Sequence, residues 1–160
     1  MIIYEGDLAK ITACLKKLHE ESRAKAAFLI DKNGQLVANV GETGNMDTTA
    51  LASLTAGNIA ATGGLAQLLG EREFSVLFHE GEKDHLHISV VAERLILLVI
   101  FDQRSTLGLI RLRVKKASEE MVRIFQEIQR HAKGQEKKGG PFGSQWEITD
   151  DDIDNLFGRT

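Results

Sequence analysis

The chain has 160 residues, 42% of them hydrophobic and 27% charged, with a formal net charge of -3. That is enough for one domain with its own core and a modest tail, and too little for a (β/α)8 barrel enzyme of roughly 250 residues. The near-neutral balance argues against a basic nucleic-acid-binding domain, and no apolar run approaches the ~18 residues of a membrane-spanning helix.

Leu8, Ile11, Cys14, Leu15 and Leu18 recur at three and four residues, with lysines and glutamates between them. This predicts an amphipathic first helix with Asp7 as its cap. Residues 1–7 lack the basic-then-apolar order of a signal peptide. Cys14, the only cysteine, falls on the apolar stripe as a small core residue. One cysteine excludes a disulfide framework and a multi-cysteine zinc site, and it points to a cytoplasmic setting.

Residues 26–31 (AAFLID) read as a strand, Lys32-Asn33-Gly34 as a turn, and residues 35–40 as the returning strand of a hairpin. A loop over 41–47 leads to a second helix over 48–69, capped by Asp47 or Thr48 and ended by Gly70. Residues 74–79 form a strand, 80–84 a turn and 85–92 an alternating strand. Residues 94–102 are almost continuously apolar, which places that strand centrally in the sheet. A long last helix runs from about Ser105 to about Ala132, with Leu107, Ile110, Val114, Ala117, Met121, Ile124, Phe125 and Ile128 as its apolar positions. The order αββαβββα with two hairpins predicts an α+β sandwich: a five-stranded antiparallel sheet flanked by helices.

The domain is expected to occupy residues 1–132, followed by a linker over 133–148 and a tail over 149–160. The linker holds the only proline, Pro141, beside Gly139 and Gly140. Residues 139–160 contain five acidic residues and one basic residue, a net -4, while the other 138 residues sum to +1. Thr149-x-x-Asp152 resembles a capping box, and Ile153, Leu156 and Phe157 would share one side of a short helix. That is the pattern of a linear motif that folds on a partner; the alternative is a disordered, solubilising tail.

The second helix is the most informative segment. Leu51, Leu54, Ala61, Leu65, Leu68 and Leu69 gather on one side, which is expected to pack on the sheet. The other side carries Ala52, Ser53, Ala56, Gly57, Ala60, Gly63, Gly64 and Gln67, and no charged residue lies between Asp47 and Gly70. Each interior glycine costs about 1 kcal/mol relative to alanine. A solvated face gives no return for that, whereas close approach by another backbone does. The face reads as a protein–protein contact surface, or alternatively as one side of a helix buried in its own domain.

Other signals are weaker. His79, His85 and His87 have no carboxylate or thiol pattern to complete a metal site and read as outward-facing polar residues. Arg111, Arg113, Lys115, Lys116 and Arg130 make the last helix partly basic, as a solvated face or a contact for an acidic partner or membrane surface. GETG at 41–44 and TGG at 62–64 lack the spacing and lysine of a phosphate-binding loop. No nucleophile–base pair stands out, so no catalytic residue, metal or cofactor is expected.

FLIDKNGQL at 28–36, DTTALASLTAGNIAATGGLAQL at 47–68, FHEG at 78–81, LLVIFDQRSTLGLIRLRVKKAS at 97–118 and DDDIDNLF at 150–157 resemble the Roadblock/LC7 family, in particular its MglB-type members. The resemblance implies a homodimer with sheets joined edge to edge and second helices side by side. It implies that a Ras-like small GTPase of the MglA type sits on that composite face, at small positions corresponding to Ala60 and Gly64. The expected contact set is Ser53, Ala56, Gly57, Ala60, Gly63, Gly64 and Gln67. It further implies a GTPase activator without an arginine finger, acting in cell polarity and gliding motility, in the cytoplasm and concentrated at a cell pole. A tail contact to the GTPase, tied to nucleotide exchange, is implied by it as well. The loop arginines Arg72, Arg94 and Arg104 are then expected to be structural or solvated. The competing readings are a Roadblock scaffold that tethers partners without stimulating hydrolysis, and a small-ligand sensor, which would need a polar-lined pocket.

Overall fold

The computed structural model describes residues 5–138, with side-chain surroundings through residue 132. Its elements are α1 (Glu5–Ser22), β1 (Ala26–Asp31), β2 (Leu36–Gly41), α2 (Thr48–Leu68), β3 (Val76–His79), β4 (His85–Val91), β5 (Leu95–Phe101) and α3 (Leu107–Lys138). The chain divides into two units, residues 1–124 and 125–160. The first holds the sheet, α1, α2 and the opening turns of α3; the described part of the second is the continuation of α3.

The five strands lie in the order β2-β1-β5-β4-β3, all antiparallel. The fold is the α+β sandwich that the element order predicted. Every residue of β5 is buried, as its unbroken apolar run requires of a central strand. Alternate residues of the strands supply two faces. On one face Phe28, Ile30, Ile88, Ile96, Leu98 and Ile100 pack with Ala52, Ala56 and Ile59 of α2. Ala27, Leu29, Leu97 and Val99 alternate to the other face.

α1 lies over β1 and β2 and is tied to α3. The Ser105 hydroxyl donates to the Ser22 carbonyl at 2.6 Å, and Arg113 meets Glu21 at 3.2 Å. Cys14 packs its thiol 3.7 Å from the Ala117 carbonyl. Burial, with Glu120 nearby, pushes that thiol up to about 12, so it stays protonated and behaves as the small core residue expected.

Element ends differ from the sequence reading in two informative places. α3 begins at Leu107 rather than near Ser105, with the Thr106 hydroxyl accepting from the Leu109 amide at 3.2 Å. It also continues to Lys138 rather than ending near Ala132. The residues it adds include Gln135, Glu136, Lys137 and Lys138, all good helix formers, and they outweigh the single Gly134.

The β1–β2 turn comes up against α2. The Asp31 carboxylate accepts from the Asn33 and Gln35 amides at 2.9 and 3.0 Å. Gly34 adopts φ 91°, and a Cβ there would lie 3.3 Å from the Ser53 backbone of α2. The turn therefore touches α2 where only small groups fit.

Candidate partner-binding interface

α2 is well bounded. The Asp47 side chain accepts from the Ala50 amide at 3.1 Å, which satisfies an orphan donor of the first turn. At the other end Gly70, at φ 75°, donates to the Gln67 carbonyl at 3.2 Å, and Glu71 donates to Ala66 at 2.8 Å. These two bonds are a Schellman ending. Inside the helix, Thr55 and Thr62 turn their hydroxyls back to the Leu51 and Asn58 carbonyls at 2.7 and 2.8 Å. The hydroxyls of Thr55 and Thr62 are thus consumed locally, and from Ser53 to Leu68 the exposed polar side chains are Ser53 and Gln67, neither of them charged.

The orientation of α2 corrects the sequence reading. The side that packs on the sheet is formed by Ala52, Thr55, Ala56, Ile59 and Ala66. The leucines expected there point outward: Leu54 is 73% exposed, Leu65 57%, Leu68 83% and Leu69 69%. Leu51 alone among them is half-buried against the core. The physical reason is the close approach of the β1–β2 turn at Gly34, which Ala56 and Ser53 accommodate and a leucine would not. Both sides of α2 are nearly equally apolar, so periodicity carries little information about which one faces inward.

Of the seven expected contact residues, Ser53, Gly57, Ala60, Gly64 and Gln67 are exposed and Gly63 is half-buried. Ala56, expected on the same face, instead sits in the core at 8% exposure. The outward surface of α2 is therefore composite: a small-residue stripe of Ser53, Gly57, Ala60 and Gly64 beside a leucine stripe of Leu54, Leu65 and Leu68. A Cβ added at Gly57 or Gly64 would meet nothing within 4 Å among the described residues. The packing of the described residues does not explain why glycine occupies those positions.

Beside this helix lies the β3 edge. β3 is the last strand of the sheet, with Val76 52% and Phe78 37% exposed. The Asn58 side chain reaches the His79 ring at 3.4 Å, which joins the helix to the edge strand. An unpaired strand edge next to an uncharged helix face is a surface ready for another chain. Sequence reasoning missed the leucine stripe and the exposed edge; the charge-free run from 48 to 69 was the signal available for them.

The remaining sites fall apart spatially. Arg104 is held in a fork: its guanidinium meets Glu42 at 2.8 Å and Asp102 at 2.9 Å. The hydrogen bonds from Arg104 keep both carboxyls below their usual range, and the two carboxylates hold the arginine charged. Arg72 is exposed just beyond α2, and Arg94 is exposed in the β4–β5 turn, where its amide donates to Val91 at 3.3 Å. His85 accepts from the Gly81 amide at 3.3 Å and lies over Phe101 with ring centroids 5.2 Å apart. His87, read as outward-facing, is 2% exposed instead. It alternates onto the face of the sheet opposite α2, and burial, with the Arg111 charge, lowers its pKa. The tail residues Ile153, Leu156 and Phe157 lie outside the described residues. Among the described residues no helix is long and apolar enough to cross a membrane.

Comparison with known proteins agrees with this geometry. The family model described as the Roadblock/LC7 domain matches residues 10–101. The structure is similar to that of MglB from Myxococcus xanthus, at 54% identity over 79% of this chain and 96% of that one, with a TM-score of 0.75. It is similar to the gliding protein MglB from Thermus thermophilus, at 34% identity, with the same coverages and a TM-score of 0.74. A further MglB structure, described as having a tetrameric arrangement, is 32% identical over 79% of this chain and 96% of that one, with a TM-score of 0.74. A search of the curated proteins gave no match. By family model, fold and identity, this chain belongs to the Roadblock/LC7 family, among its MglB-type members.

Proposed function

We propose that this chain is a homodimeric activator of a Ras-like small GTPase of the MglA type, acting in cell polarity and motility from the cytoplasm. The observation that carries the reading is the outward face of α2. It is uncharged, it exposes Leu54, Leu65 and Leu68, and its glycines have open space where side chains would fit. Two copies can pair their β3 edges into a longer sheet, which brings the α2 helices side by side. The glycine and alanine stripe then permits backbones to approach, and the leucines supply apolar area at about 25 cal/mol per Å² buried. The tetrameric arrangement described for one relative favours self-association in this chain as well.

An activator supplies either an arginine to the transition state, worth roughly 10³–10⁵ in rate, or a rigid surface that holds the GTPase's own groups in place. The Arg104 fork supports the second route, because freeing that guanidinium would break its bonds to Glu42 and Asp102. Tighter binding to the hydrolysis-competent arrangement of the switch segments is then the whole of the effect. The chain itself acts as a regulator with no catalytic group of its own. The tail residues Ile153, Leu156 and Phe157 add a second contact to the GTPase.

Single-turnover GTP hydrolysis by the cognate GTPase, with and without this chain, tests the reading. Stimulation that saturates with this chain's concentration is the expected outcome. Tight binding without stimulation would replace the activator with a tethering scaffold.

A further inference from the structure

α2 is anchored along its first half only. From Thr48 to Ile59 it buries Ala52, Thr55, Ala56 and Ile59, and Leu51 packs against the same core. No residue of α2 beyond Ile59 joins that core cluster. From Ala60 to Leu69 the one buried residue is Ala66, while Leu65, Leu68 and Leu69 are exposed. Among the described residues, the last side-chain bond from α2 to the sheet is Asn58 to His79 at 3.4 Å. Beyond it the Thr62 hydroxyl donates back to the Asn58 carbonyl, and the Gly70 and Glu71 amides donate to Gln67 and Ala66. These bonds close the helix on itself, and none of them reaches the sheet.

The composition of the second half works against the helix as well. Thr62, Gly63 and Gly64 follow one another, and both β-branched residues and glycine are poor helix formers. A Cβ at either glycine would meet nothing within 4 Å, so packing among the described residues does not require them. A segment with few buried contacts opens at far less cost than the whole fold. Yet this segment carries Ala60, Gly64, Leu65, Gln67 and Leu68, most of the outward face.

We propose that residues 60–69 of α2 open and close as a unit in a single copy, and that closing them couples self-association to GTPase binding. This rests on the reading of α2 as the face that both a second copy and the GTPase meet. Closing the segment costs conformational entropy. The first partner to bind closes it, and the next meets a face already formed. Each partner therefore strengthens the binding of the other by the same factor, through order rather than through a change of shape.

Hydrogen exchange read by mass spectrometry on the full chain tests the opening with no GTPase present. Val76→Lys puts a charge on the β3 edge and keeps the chain in single copies, which light scattering verifies. In that chain the amides of residues 62–69 are expected to exchange at least about tenfold faster than those of residues 52–59. Equal protection of the two halves would overturn the proposal.

Gly63→Ala supplies the second arm, because Gly63 is half-buried at the flank of the outward face and its added Cβ has open space. The variant is expected to slow exchange over residues 62–69. It is also expected to tighten self-association and GTPase binding by up to about fivefold, equivalent to the ~1 kcal/mol between glycine and alanine in a helix. Unchanged exchange would overturn the opening, and slowed exchange with unchanged affinities would overturn the coupling. Tighter self-association in a chain that binds no GTPase in either form would support the opening and refute the GTPase reading instead.

Discussion

α2 turns Leu54, Leu65 and Leu68 outward with no charge beside them, whereas α3 turns Leu112 outward among Arg111, Lys115 and Lys116. Both helices expose apolar surface that the fold does not need. They differ in how a partner would find it. The α2 face offers contact area and close backbone approach, which act only at short range and change little with salt. The α3 face mixes Arg111, Lys115 and Lys116 with the exposed Glu119, and charges act over about a Debye length, roughly 8 Å at physiological ionic strength. Contact on an uncharged face would change little with salt, whereas contact on a charged face would weaken as salt is added.

The comparison is most easily broken at the small stripe of α2. Ala60→Arg combined with Gly64→Arg places two long cations on an exposed, uncharged face. GTPase binding measured by titration is expected to disappear, with the circular dichroism spectrum unchanged, because neither side chain enters the core. Retained stimulation of hydrolysis by that variant would refute the α2 contact.

A pair of substitutions one position apart separates the two sides of the same helix. Ala56→Leu overfills the site against Gly34 and is expected to destabilise the fold by about 1–3 kcal/mol in urea unfolding. Gly57→Ala meets open space and is expected to raise helix stability by up to about 1 kcal/mol while weakening self-association. If Gly57→Ala weakened neither association nor GTPase binding, close approach at that stripe would be wrong.

His87 gives a smaller, pH-dependent effect. Burial holds its folded pKa below the ordinary 6.5, so the folded chain binds fewer protons there than the unfolded one. Stability therefore begins to fall as pH drops through 6.5 and goes on falling until the lowered pKa is reached. His87→Leu is expected to flatten that part of the pH profile of urea unfolding; an unchanged slope would show that other groups set it.

The smallest effects are expected at the loop arginines. Arg72→Ala, Arg94→Ala and Arg104→Ala should each leave stimulated hydrolysis within about a few-fold of the original. A loss near the ~10³ of an inserted arginine would identify a finger after all.

Much of this fold is legible in the sequence, for reasons that particular residues make plain. The unbroken run Leu95–Phe101 marks the central strand, and Lys32-Asn33-Gly34 marks the hairpin turn. The absence of charge from 48 to 69 marks α2 as the segment to watch. The inward side of that helix is not legible, because Ala52 and Ala56 compete with leucines on a hydrophobic scale and win on volume. Only the Gly34 contact, made across the fold, reveals why small residues are needed there. His87 misleads in a similar way: alternation put the histidines on one face of the strand, but not which face was covered.

The exposed leucines of α2 have a consequence for the life of the protein as well as for its contacts. On the proposed assembly, a single copy would carry Leu68 at 83% exposure and a bare β3 edge until it met another. Folding and association are then linked by mass action, and the melting temperature should climb with protein concentration. A cell making little of this chain would hold it in its most aggregation-prone form. The ratio of this protein to its partners would then set its survival as much as its activity.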